Sequence, residues 1–178
     1  MNDHFQDQPR FCRFIDSFVE RLGRLIAWLN VLLILNIMVQ VVLRYVFGRG
    51  LIWLEELQWH FYAVLIMFGI SYTLIDDGHI RLDLLHQRLS PRTKEWVEML
   101  GIVILLLPLI CVIFYYSLDF VGTAWRLGER SESPLGLPGR WLIKSVIPIS
   151  LTVLVLSALS RLGRAAGVLF KHKQPLEG

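Results

Sequence analysis

Apolar residues run through three stretches of this chain, residues 25–43, 57–75 and 99–118, without a single Asp, Glu, Lys or Arg, and a fourth, 141–160, carries only Lys144. Each stretch is about 20 residues long, and a helix of that length, rising about 1.5 Å per residue, crosses a hydrocarbon core of roughly 30 Å. Lys144 stands near the start of its run, where its long side chain reaches the headgroups. With flanking turns included, the pattern predicts four transmembrane helices at about 25–47, 52–75, 92–121 and 141–160, in one membrane domain covering 1–178.

Two flanking segments carry a different pattern. Phe11, Phe14, Ile15, Phe18, Leu22 and Leu25 recur at intervals of three, four and seven, with Arg13, Arg21 and Arg24 on the other side, so residues 11–24 are expected to form an amphipathic helix in the plane of the interface. No small-residue cleavage site follows the first apolar run at Arg44-Tyr45-Val46-Phe47, and that run is read as a retained span. After the helix-breaking Asp76-Asp77-Gly78, residues 79–89 place Leu82, Leu85 and Leu89 on one face, predicting a second interfacial helix. Ser90-Pro91 then reads as an N-cap followed by proline at the first helical position. A helix from Pro91 to about Val121 would be roughly 45 Å long, more than the membrane needs, so it must tilt, kink or protrude. Pro108 and Pro148 are the candidate bend points, because proline removes a backbone donor.

Composition supports a membrane protein: 54% of the 178 residues are apolar, more than a water-soluble domain of this size can cover. The net charge of +3 is spread between the spans with no stripe or tail, which excludes nucleic acid as a partner and points to the lipid bilayer. Both termini and the loop between the second and third spans share one side. That side holds Arg10, Arg13, Arg21, Arg24, Arg81, Arg88, Arg92, Lys94, Arg161, Arg164, Lys171 and Lys173, twelve of the 18 basic residues. The positive-inside rule therefore puts both termini in the cytoplasm and the loops at 44–56 and 126–140 outside. Cys12 and Cys111 are half a membrane apart and are expected to be free thiols.

Chemistry-bearing residues are sparse. No P-loop, Gly-rich dinucleotide turn, Cys/His cluster or His-Glu-x-x-His occurs, which disfavours an enzyme. Only His60 lies within a span, whereas a haem held by two protein ligands needs two axial groups. The remaining polar residues gather on the first hairpin. Asn36, Gln40 and Arg44 fall within an arc of about 80° on one helix. Trp53, Glu55 and Glu56 open the next helix at similar depth. Three readings stay open for this group: an Arg44-to-glutamate ion pair fixing the hairpin with Trp53 as an interfacial anchor, contact with a partner protein, or ion handling, which is usual only for deeper charges. Gly69, Thr73 and the serines at 145, 150, 157 and 160 are small residues suited to close helix approach. A transport pathway within the chain has little support, because it shows neither a repeat nor a deep charge.

Arg44-Tyr45-Val46-Phe47-Gly48 followed by Trp53-Leu54-Glu55-Glu56, then Gly78-His79-Ile80-Arg81-Leu82-Asp83-Leu84-Leu85 ahead of Leu89-Ser90-Pro91-Arg92, resembles the small permease (DctQ) subunit of tripartite ATP-independent periplasmic (TRAP) transporters. The resemblance covers about residues 20–165. The stretch Glu132-Ser133-Pro134-Leu135-Gly136-Leu137-Pro138 with Trp141-Leu142-Ile143-Lys144 and Pro148 is similar to a branch often assigned to mannitol, chloroaromatic or 2-oxo acid uptake. One departure is Gly48-Arg49-Gly50, where such sequences often have a proline, which implies a looser turn. The resemblance implies a multi-pass scaffold of the bacterial inner membrane, with no catalytic residue, metal or cofactor of its own. A large permease subunit would carry substrate and sodium, and a periplasmic solute-binding protein would deliver a small organic acid.

On that resemblance Asn36, Gln40, Arg44, Trp53, Glu55 and Glu56 are candidate partner contacts, His79, Arg81 and Asp83 a cytoplasmic interfacial motif, and Arg49, Arg126, Arg130 and Arg140 candidate contacts to the binding protein. Two other classes compete: a haem-binding or quinone-linked membrane anchor subunit, and a membrane assembly factor with no transported solute.

Overall fold

The computed structural model describes residues 10–75 and 91–171, and the 79–89 helix with His79, Arg81 and Asp83 lies outside them. Helix α1 spans Arg10–Tyr45, α2 Ile52–Ile75, α3 Pro91–Leu100, α4 Leu107–Arg126 and α5 Arg140–Lys171. A π-helical stretch, Gly101–Leu106, joins α3 to α4 into one rod. Among the described residues the structure is all-α, with four helices long and apolar enough to cross a membrane.

The pattern predicts two elements where the structure has one: 11–24 and the first span form the single 36-residue α1. Its buried positions explain why. Cys12, Val19, Ile26, Leu33 and Gln40 are spaced at sevens and all are buried, so one seam runs almost the whole length of the helix. Ile15 and Val19 pack with Val153 of α5. Phe11, Phe14 and Phe18, by contrast, are exposed. At Gly23 the backbone passes so close to α2 that a Cβ would stand 2.5 Å from the Tyr72 ring, which requires glycine there.

Helix α3 is described from Pro91, and Ser90, the expected N-cap, lies outside the described residues. Of the two internal prolines, Pro108 follows the irregularity and Pro148 lies within an unbroken α5. Pro108 has no N–H for the carbonyl one turn back, and just before it Leu107 N–H reaches the Ile102 carbonyl, five residues away. The widened turns absorb the mismatch that proline creates.

Helix α5 is the hub, packing against α1, α2, α3 and α4, while α1 and α2 pair as a hairpin beside it. Its burial reflects this: 39% of its most apolar window is buried, against 22% for α1 and 11% for each of the other two spans. Small residues make the close approach possible, with Ser150, Ser157, Ser160, Ala158 and Ala165 all at or below 1% exposure. Ser150 and Ser157 satisfy their hydroxyls on the carbonyls of Ile147 and Val153, at 2.9 and 3.0 Å, so burying them strands no donor. Gly69 faces open space and has no packing role within the described residues, and Ser145 donates to Leu142. On α4 a single seam, Ile110, Ser117 and Ala124, is buried, and most of the remaining surface is exposed and apolar.

Ala158 has no exposed surface and sits in the cluster of Leu74, Ile102, Ile110, Leu151 and Leu154. Ala158→Phe is expected to destabilise the bundle by about 1–3 kcal/mol through overpacking. Leu109→Phe, on the exposed side of α4, should change little. Thermal unfolding of the two purified variants in detergent checks this.

Candidate functional site

Polar side chains gather in two layers, one at each end of the bundle. At the end holding the α1–α2 turn, Asn36 Nδ2 donates to the Leu54 carbonyl at 3.0 Å. Gln40 brackets Leu51, accepting its N–H at 3.4 Å and donating to its carbonyl at 3.3 Å. The turn is therefore gripped by side chains of α1. Gly48 adopts the left-handed conformation with φ 62°, and Arg49 N–H returns to the Leu43 carbonyl at 3.0 Å. The glycines that replace proline do not leave this turn without internal bonds.

The ion pair between Arg44 and the glutamates, one of the three readings of this group, is absent among the described residues. Arg44 and Glu55 are both exposed. Once Asn36 and Gln40 bind the backbone of the first α2 turn, Glu56 is turned toward the loop between α4 and α5. There it accepts the Ser131 hydroxyl and, at 2.6 Å, the Leu137 N–H. Ser131 Oγ in turn accepts the Ser133 N–H at 3.2 Å. Glu129 closes the loop base by pairing with Lys144 and with Arg140 at 3.5 Å. Lys144 does not reach for headgroups: its ammonium sits 3.9 Å from the Phe120 ring centroid, while Trp125 and Trp141 meet edge to face at 4.4 Å. Of the four candidate binding-protein contacts, Arg49, Arg126 and Arg130 are exposed, and Arg140 is engaged with Glu129 and Glu132. Trp53 is 42% exposed.

The opposite layer escapes the sequence pattern. Asp16, 2% exposed, accepts the Ser160 hydroxyl at 2.5 Å and lies 3.2 Å from Arg164 Nη1. Arg164 Nη2 donates to the Ile75 carbonyl at 3.4 Å, so one guanidinium ties α1, α2 and α5. Three residues earlier Arg161 forms a two-point pair with Glu98 of α3, its Nη2 to Oε2 contact being 2.6 Å. Close packing accompanies the charges: a Cβ on Gly163 would stand 2.8 Å from Cys12 Sγ. The available signal was Asp16 itself, an acid on the same helical face as Cys12, Ile15 and Val19.

His60 Nδ1 lies 2.6 Å from the Glu56 carbonyl, an acceptor, so that nitrogen carries the proton. Among the described residues no group of three His, Cys, Asp or Glu is placed to hold a metal ion. Cys12 and Cys111 are free. The arrangement binds helices to one another through polar contacts, although Asp16 Oδ2, Asn36 Oδ1 and Arg164 Nε are buried without a hydrogen-bond partner, and it defines a polytopic membrane subunit. Over residues 33–167 the sequence matches the family model described as the DctQ component of the tripartite ATP-independent periplasmic transporters, and the chain belongs to that family. It is a transporter component and not an enzyme, and membership implies a TRAP complex with DctM and DctP components. No curated protein and no solved structure matches the chain.

Two outcomes follow from the layers. Glu56→Ala removes the acceptor that folds the 131–137 segment back on α2, so trypsin should cleave at Arg130 several-fold faster than in the unaltered protein. Glu56→Gln, which keeps one carbonyl oxygen, should lie between the two. Arg164→Met strands the buried Asp16 carboxylate and is expected to cost about 3–5 kcal/mol in detergent unfolding. Adding Asp16→Leu should recover part of that loss.

Proposed function

We propose that this chain is the small scaffold subunit of a sodium-coupled TRAP uptake transporter for a small organic acid, seated in a bacterial inner membrane with both termini cytoplasmic. The observation that carries the reading is the use to which its polar groups are put. Asn36, Gln40, Glu56, Lys144, Asp16, Arg161 and Arg164 all serve contacts within the bundle. Substrate and sodium are then handled by the large DctM component, to which the chain lends a fixed wall. Orientation rests on the basic residues: the end bearing Asp16, Arg161 and Arg164 is also the end where Arg10 and Lys171 close their helices.

Within this reading Arg49, Arg126 and Arg130 are offered to the docked binding protein, with Arg140 shaping the loop that presents Arg130. Asn36, Gln40 and Glu56 act on partners only indirectly, through the hairpin and loop they hold. Arg44, Trp53 and Glu55 remain open to direct contact.

Gentle-detergent purification of the tagged chain from native membranes is expected to bring the large permease along in near one-to-one ratio. Deleting the chain should abolish sodium-driven uptake of the acid that the binding protein selects. Full uptake without the chain would overturn the scaffold role.

A further inference from the structure

The apolar runs of the four spans do not share one height, and α1 is the one out of step. Along α5, Arg161 to Lys144 covers about 26 Å, and along α2, Ile75 to Glu56 covers about 28 Å, each close to the thickness of a hydrocarbon core. Between the same layers the π-helical stretch and α4 present an apolar surface, with Leu105, Leu109, Val112 and Tyr116 exposed, and the exposed Asp119 follows only beside Phe120, the ring that Lys144 covers. Helix α1 is tied into this frame at two levels: Asp16 to Ser160 and Arg164 at one end, and Asn36 to the Leu54 carbonyl at the other, about 30 Å apart along its axis.

Its uncharged run, however, is 25–43. Glu20, Arg21 and Arg24 are exposed and stand about 6–12 Å above Asp16, inside the slab. Arg24 turns one helical turn back to Glu20, at 3.8 Å, and their side chains remain 66% and 51% exposed. At the other end Val41, Val42 and Tyr45, with Arg44 among them, are exposed on a crest that the helix carries about 14 Å past Asn36, and Phe47 is exposed in the turn beyond it, past the level where Glu56 meets the 131–137 loop. Sliding α1 by two turns would cure both misfits, but the Asp16 and Asn36 contacts forbid the slide.

Lipid therefore meets charge at one end of this face, and water meets Val, Tyr and Phe at the other, and each is costly. A protein surface answers both. Resting on the TRAP-complex reading, we propose that the outward face of α1, from Glu20, Arg21 and Arg24 up to Val42, Tyr45 and Phe47, is the docking face for the membrane-embedded DctM component. The complementary surface carries an acidic group opposite Arg21 or Arg24 and an apolar wall that rises past the hydrocarbon beside the crest. The exposed face of α4, apolar from Leu109 to Tyr116, is left to lipid.

A photo-crosslinking amino acid placed singly at Trp28 or Val42 on α1, and at Leu109 or Tyr116 on α4, tests this in native membranes holding the whole complex with tagged DctM. Adducts to DctM are expected from the α1 positions and not from the α4 positions. Adducts from α4, or from neither pair while DctM still co-purifies, would overturn the docking face and leave the complex intact as a conclusion. Loss of DctM from the purification altogether would sink the complex reading itself, and the docking face with it.

Discussion

Arg164 is the contact on which the arrangement turns. Lipid tails are as apolar as leucine, so helices in a bilayer gain no hydrophobic drive toward one another and depend on close packing and polar ties. This guanidinium faces the Asp16 carboxylate on α1 and donates to the last carbonyl of α2, while its own helix is the one that every other packs against. An unpaired charge at such a site is far more costly than the pair. The register of α1 against α2 and α5 is thus set at one end by a charge that has few other places to go.

Packing transmits that register upward. Helix α1 buries every seventh residue from Cys12 to Gln40, and of its last two buried polar side chains Asn36 bonds the α2 backbone at Leu54 and Gln40 bonds Leu51 just before that helix. Backbone amides and carbonyls are fixed in position by the helix, so these bonds specify height as well as proximity. Glu56, one turn along α2, then gathers the 131–137 segment, and the loop base is locked by Glu129 with Lys144 and Arg140. Each tie is modest alone. Together they leave little freedom for the loop between α4 and α5.

The long apolar runs were legible in the sequence because hydrocarbon thickness fixes how many consecutive residues must lack charge. The start of α1 was less so. Phe11, Phe14 and Phe18 gave an amphipathic period, and period alone does not distinguish a helix lying in the interface from one continuing into the bundle. The polar partners failed for a related reason. Arg44 and the glutamates have opposite charge and similar depth, yet which face of α2 meets α1 is decided by Asn36 and Gln40 binding backbone atoms that carry no signature in the sequence. Asp16 with Ser160, and Glu98 with Arg161, join residues far apart in the chain, and only the helix order around α5 brings them together.

Rigidity and misfit to lipid are two sides of one construction. A subunit with plain helices free to slide would settle each apolar run at the membrane's own height and present an entirely apolar perimeter. This chain instead spends its polar residues on holding α1 about two turns away from that position, which exposes charge on one side and a crest of Val, Tyr and Phe on the other. Such a face is unfavourable in a lone subunit and is relieved only against a complementary protein wall. On the proposed docking, the same ties that hold the helices in register leave the subunit incomplete by itself and couple its own stability to assembly of the complex.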